Sequence, residues 1–260
     1  MKFIQSRDNP FFKELAKLSG SARQRSKANQ TLLDGIHLLG AYLDAGMLPQ
    51  HVLVNAAASH DAEIDKLLDR IGDVPVTQLE DRLFVELSEL KTSTGILALI
   101  EIPQYSEPVS SAHFALFLED IQDPGNLGSI LLSAAAAGCD GVFLSKGCAD
   151  AWSPKVLRAA MGGHFALRIY EQQDLLSVAS AFFGTLLATS LQATRSLYDC
   201  DLRGNVAFLI GNEGAGLSAD ILNLATRQIT IPMPGKVESL NAAAATAVCL
   251  FEVVRQRQKQ

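Results

Sequence analysis

Apolar positions along the chain change their rhythm near His113. Between Asn9 and Ala45 they recur at helical spacing, which predicts two helices separated near Ser19–Lys27. A strand follows at HVLVN, a helix at AEIDKLLDRI, a short strand at PVTQL, a helix at DRLFVELSEL and a strand at GILALIEI. This alternation predicts a small α/β domain. The segment Ile102–His113 holds two prolines and three serines with little apolar periodicity, the composition of a linker. Beyond it the pattern is more regular: FALFLED, GVFLS, GTLLATS, VAFLIG and QITIPM are short, β-rich apolar runs with helical stretches between most of them. Continuous apolar strands joined by helices predict a parallel sheet covered on both faces. The expected division is residues 1–102, a linker at 103–113 and a second domain at 114–260.

In parallel sheets of this kind, ligands bind beyond the carboxyl ends of the strands. Three loops there stand out: DPGNLGS after FALFLED, GNEGAGLS after VAFLI, and PMPGKVESLN after QITI. Each joins a strand to a helix, so each also suits helix capping. Neither a GxGxxG nor a GxxxxGK[ST] spacing is present, which disfavours a nicotinamide dinucleotide and ATP. Glycines let backbone approach a ligand closely, and Asn or Glu between them can bind hydroxyls or amines. The loops therefore suit a small polar ligand held largely by backbone.

Composition narrows this further. A 260-residue chain with 48% hydrophobic and 19% charged residues has a globular balance. Its first residues contain no uninterrupted apolar stretch, and no run is long enough to span a membrane, so the expectation is a cytoplasmic protein. Four scattered cysteines without a CxxC pair, and five histidines without ligand spacing, predict neither disulfides nor a metal site; four buried, reduced thiols are expected instead. The net charge of −6 argues against a wholly basic nucleic-acid binder. Residues 1–30 nevertheless carry seven cations against two carboxylates, a local surplus that can attract a phosphate backbone or simply form a solvated face. Trp152 is expected to be packed away rather than offered to a nucleobase.

Together DPGNLGSILLSAAAAG, FLIGNEGAGLS and ITIPMPGKVESLNAAAATAVCLFEVVRQ resemble the three ordered motifs of the SpoU/TrmH family of RNA 2′-O-ribose methyltransferases, within the SPOUT superfamily. CADAWSPKVLRAAMGGHFALRI is similar to the same family, and residues 6–46 resemble its L30e-like RNA-binding domain. The resemblance implies a deep trefoil knot in the second domain, a homodimer, S-adenosylmethionine as cofactor, no metal, and structured RNA as substrate, ribosomal RNA ahead of transfer RNA. It implies that Gly211, Ile231, Met233 and Leu240 cradle the cofactor with Thr189 at its border, and that Asn126, Glu213, Ser239 and Asn241 face the reaction. The N-terminal cations Arg7, Arg23, Arg25 and Lys27 are the expected phosphate contacts.

One position departs from the pattern. The family's first motif reads Asn-x-Gly-x-x-x-Arg, whose arginine is taken to bind phosphate and assist deprotonation; here Asn126 and Gly128 match and the arginine position is Leu132. Lys91 is the one Lys or Arg between Arg82 and Lys146, so no shift of register restores the charge. Either another cation takes over, with Arg158 first and Arg195 second, or the chain is a catalytically weakened RNA- and cofactor-binding protein, acting for example in ribosome assembly.

Overall fold

The computed structural model describes residues 2–58, 61–90 and 93–258; His60 and Lys91 lie outside them. The described chain forms two compact units, Met1–Gln104 with Trp152–Phe165, and Tyr105–Ala151 with Ala166–Gln260.

The first unit runs β1 Lys2–Ile4, α1 Pro10–Gly20, α2 Ala22–Ala28, β2 Gln30–Asp34, α3 Ile36–Asp44, β3 His51–Asn55, α4 Ala62–Arg70, β4 Val76–Leu79, α5 Asp81–Leu87 and β5 Ile96–Glu101. Its sheet has the order β1-β4-β3-β5-β2, with β5 antiparallel to both β2 and β3. The expected pair of helices before Ala45 is in fact three helices and a strand. Asn9 caps α1 through the N–H groups of Phe11 and Phe12, with Pro10 in the first turn. Ser21 then accepts the Gln24 N–H and starts a new helix inside the stretch whose composition suggests a break. QTLLD, too short to show a period, becomes β2 because its middle three residues are buried in the sheet. Leu15 and Leu18 of α1, Leu83 and Phe84 of α5, and Leu53 and Leu99 of the strands meet in one core.

In the second unit come β6 Phe114–Leu118, α6 Pro124–Ala137 and β7 Gly141–Ser145. The next helix, α7 Pro154–Ala159, belongs to the first unit. After it follow β8 Arg168–Gln173, α8 Leu175–Ser180, β9 Thr185–Thr189, β10 Val206–Ile210, α9 Ala219–Leu224, β11 Arg227–Ile229 and α10 Ala242–Arg257. The six strands are ordered β11-β9-β10-β6-β7-β8, and every pairing is parallel. Strand β8 adds to the five expected runs; RIYEQQ is largely polar and gives no apolar signal. The last strand is shorter than QITIPM suggests, because the chain leaves the sheet after Ile229.

Both faces of this sheet are buried. Ala115, Phe117, Ala207 and Leu209 share a core with Leu175 and Ala179 of α8 and Ile221 of α9. The alternate residues Leu116 and Phe208 point the other way and are equally buried. Helices α6 and α10 pack on each other, and Arg257 at the end of α10 lies over the Phe114 ring at 5.0 Å.

Trp152 is packed away as expected: it is 1% exposed and tilted on His164 at 5.0 Å. All four thiols are free, but Cys148 is only half-buried, because it sits in a turn where its Sγ donates to the Leu118 carbonyl. No described helix is long and apolar enough to cross a membrane, and no described group of His, Cys, Asp and Glu could hold a metal.

Candidate active site

All three glycine-containing loops leave the carboxyl end of the second sheet and start helices, and each start has its own cap. Asp123 accepts the Asn126 N–H at 2.7 Å and Pro124 opens α6. Ser218 caps α9, and its own N–H and hydroxyl both donate to the Glu119 carboxylate at 2.7 Å. Asn241 caps α10, its Oδ1 accepting from Ala243 at 2.9 Å and Ala244 at 3.3 Å.

Asn241 also joins the loops. With its oxygen committed to the helix N–H groups, its amide nitrogen must face away, and it donates to Asn126 Oδ1 at 2.8 Å. Asn126 must then turn its own nitrogen outward, and that nitrogen donates to Glu213 Oε1 at 3.0 Å. A carboxylate only accepts, so the two ends of the chain enforce one orientation of both amides. Burial alone would push the Glu213 carboxyl up, but bonds from Asn126 and the N–H groups of Gln122 and Asp123 outweigh it and hold it below its ordinary value. Glu213 is therefore an ionised anchor at neutral pH.

Two further residues fix the second loop. Asn212 donates to the Asp120 carbonyl at 2.8 Å and accepts from the N–H groups of Gly214 and Ala215. The loop doubles back so tightly that a β-carbon on Gly211 would overlap the Gly216 backbone. Asp120 has a left-handed backbone, φ 54°, and its carboxylate receives the Ser145 hydroxyl at 2.5 Å.

Of the residues expected to hold a cofactor, Gly211, Ile231, Met233 and Leu240 lie along these loops. Thr189 ends β9, its hydroxyl donating to the Leu209 carbonyl. Ile231 and Met233 are half-buried. Leu240 is 38% exposed and nearby Val237 62%. Ser239 is exposed and makes no hydrogen bond among the described residues.

The expected cations separate. Arg158 belongs to the first unit, where Nη1 donates to the Glu89 carbonyl at 3.3 Å and its charge acts on Asp34. Arg195 donates to the Asp199 carbonyl in its own loop. Arg23 and Lys27 are exposed, and Arg7 pairs with Glu86 at 2.7 Å. Arg25 does not fit the expectation of a phosphate contact: it is 5% exposed, and Nη1 donates to the carbonyls of Leu18 and Ser19 at 2.6 and 3.0 Å. It satisfies carbonyls left open at the end of α1. Leu132 is 36% exposed on α6, an apolar side chain with no burial to explain it.

Glu119, Asp120, Ser145 and Gly147 join the site without having stood out in the sequence. Glu119 and Asp120 leave a trace there, as carboxylates closing an apolar strand.

Comparison with known proteins identifies the family. The SpoU rRNA Methylase family matches residues 113–251, and an MRM3-like substrate binding domain matches residues 9–98. The chain belongs to the SpoU rRNA methylase family. Among similar proteins, an uncharacterized tRNA/rRNA methyltransferase of Synechocystis sp. is 35% identical, covering 98% of this chain and 94% of its own. The 23S rRNA (guanosine(2553)-2′-O)-methyltransferase RlmP of Bacillus subtilis is 29% identical over 97% of this chain and 99% of its own. The SpoU methyltransferase AviRb of Streptomyces viridochromogenes, solved in complex with AdoMet, superposes with a TM-score of 0.85 at 28% identity, covering 96% of this chain and 98% of that one. An AdoMet-bound rRNA methyltransferase of Sinorhizobium meliloti gives 0.83 at 26% identity, covering 98% and 97%.

Proposed function

We propose that the protein is an S-adenosylmethionine-dependent RNA ribose 2′-O-methyltransferase acting on ribosomal RNA in the cytoplasm. The observation that carries this reading is the Asn241–Asn126–Glu213 chain, which ties the three loops of a SpoU-family domain into one polar site. The residues present fit the cofactor. Gly211 keeps its loop narrow, Ile231, Met233 and Leu240 offer partly open apolar surface, and the backbone between them offers polar groups to a small ligand. These four residues would hold it, with Thr189 at the border. When bound, S-adenosylmethionine supplies an electrophilic methyl group and needs no metal.

The protein's share of the work is alignment. Asn126 and Asn241 cannot rotate without breaking bonds at both ends, so they fix the floor on which a ribose would sit, beside Ser239. Positioning supplies much of the acceleration in such a transfer. The N-terminal unit, with Arg23 and Lys27 exposed, would grip the RNA.

Two finer features go with this reading. Thr230 is held by residues of the β9–β10 connection, its N–H donating to the Arg195 carbonyl and its carbonyl accepting from Leu197; this supports a trefoil knot with the last segment passing through that connection. Exposed Phe251 on α10, the helix that packs on α6, supports a homodimer.

Leu132 itself favours a second reading, a cofactor- and RNA-binding protein of low activity. The test is to map 2′-O-methyl sites in ribosomal RNA from cells with and without the gene, then to restore the site with purified protein. A site that disappears and returns establishes the enzyme; unchanged maps, with RNA and S-adenosylhomocysteine still bound, establish the binding protein.

A further inference from the structure

A phosphodiester approaching the polar site meets carboxylates: Glu119, Asp120 and Asp123 lie on the loop after β6 and Glu213 on the loop after β10, while α6 carries no Lys or Arg. Each of these carboxylates is occupied by donors from its own surroundings: Ser218 on Glu119, Ser145 on Asp120, the Asn126 N–H on Asp123, and Asn126 on Glu213. None of those donors brings a positive charge.

The turn after β7 does. Ser145 Oγ donates to the Asp120 carboxylate and accepts the Asp120 N–H at 2.9 Å. Gly147 stands so close to that carboxylate that a β-carbon would overlap it. The Ala149 N–H donates to the Ile121 carbonyl at 2.8 Å. Residues 145–149 thus meet the segment that leads into Asp123 and Asn126 by hydrogen bonds at Ser145, by close approach at Gly147 and by a hydrogen bond at Ala149. Lys146, exposed, lies between the first two.

Most other cations of the second unit are engaged. Arg203 pairs with Asp201, Arg255 with Glu252 and Arg168 with Glu107, Arg195 serves its own loop, and Arg257 donates to the Gly204 carbonyl over Phe114. Arg227 opens β11 at its amino end, opposite the end of a parallel sheet where the site loops gather. Lys236 lies in the loop that would hold the cofactor.

The geometry points to Lys146 as the residue that receives an RNA phosphate next to the target ribose. Its backbone is fixed by Ser145 and Gly147, and its flexible stem lets the ammonium reach out as a point charge. The inference rests on RNA being the substrate but not on catalysis.

The test uses the full chain, protein-free ribosomal RNA and a KCl series, comparing wild type with Lys146→Gln, Lys146→Arg and Lys236→Gln. Neutralising a phosphate-binding lysine should weaken RNA affinity several-fold at low salt and reduce the log–log salt slope by about 0.7–1. Lys146→Arg should restore the slope, and S-adenosylhomocysteine affinity and thermal midpoint should not move, since a merely structural lysine would change those instead. A wild-type slope in Lys146→Gln, or a slope lowered only in Lys236→Gln, overturns the inference. If wild type binds RNA but transfers no methyl group, the enzyme reading fails while the Lys146 slope difference still stands.

Discussion

The amide of Asn241 donates to Asn126 Oδ1 at 2.8 Å across 115 residues of sequence, and through Asn126 it reaches the Glu213 carboxylate. Polarity along this chain is fixed from both ends. Asn126→Asp removes the donor to Glu213 and places a second carboxylate against it, so at pH 7 it should cost more cofactor affinity than Asn126→Ala. One of two such carboxyls takes up a proton as pH falls, so the excess loss should shrink toward pH 5, measured by calorimetric titration with S-adenosylhomocysteine. Equal losses at both pH values would show that the orientation is not enforced.

Glu213 also gives the fold an acid limit. Its folded value lies below the ordinary 4.5, so its contribution to stability is full above that value and is lost as pH falls through the depressed one. Chemical denaturation of wild type and Glu213→Gln should differ most above pH 4.5 and converge as pH falls through the depressed folded value.

Leu132→Arg adds a cation to an exposed position of α6 and should leave the thermal midpoint nearly unchanged. If the missing charge limits methyl transfer, turnover on ribosomal RNA should rise by about 10²-fold or more, the range that acid–base assistance supplies. An unchanged rate would mean that another group already serves.

Arg25→Ala should lower stability by about 1–3 kcal/mol, because buried carbonyls at the end of α1 lose a charged donor. Arg23→Ala and Lys27→Ala should instead reduce the salt slope of RNA binding at constant stability. Denaturant titrations and RNA binding on the three variants separate the two roles.

Arg158→Ala tests the small cavity lined by Asp34, Leu38, Glu89, Leu90 and Leu157. Burial pushes the Asp34 carboxyl up, against bonds from Ser88, Glu89 and Leu90 and the charge of Arg158. Arg158 favours the ionised form, so its loss should destabilise at neutral pH and matter less as Asp34 protonates in acid. A pH-independent effect would indicate packing alone.

Much of this is legible in sequence because it is local. Asp-Pro before an apolar helix, Ser218 before α9 and Asn241 before an alanine run are helix starts by composition, and five apolar runs at regular spacing announce a parallel sheet. Arg25 is not legible, since a buried cation and a surface cation have the same neighbours in sequence until the helix corner is built. The pairing of Asp120 with Ser145, and Gly147 beside it, escapes for a related reason: the contact spans 25 residues and depends on a left-handed backbone at Asp120, which nothing in its side chain announces. Likewise α7, which follows β7 in the chain, gives no local sign that it packs with the first unit.

The residues that start α6, α9 and α10 are the same residues that hold the three loops of the proposed site. Asp123, Ser218 and Asn241 would be retained by a lineage that needed only to fold, whatever became of its chemistry. Leu132 carries no such burden: it is exposed and caps nothing, and α6 accepts leucine there. Position 132 is thus where evolution can exchange the charge of this scaffold without touching its architecture, and an engineer can do the same.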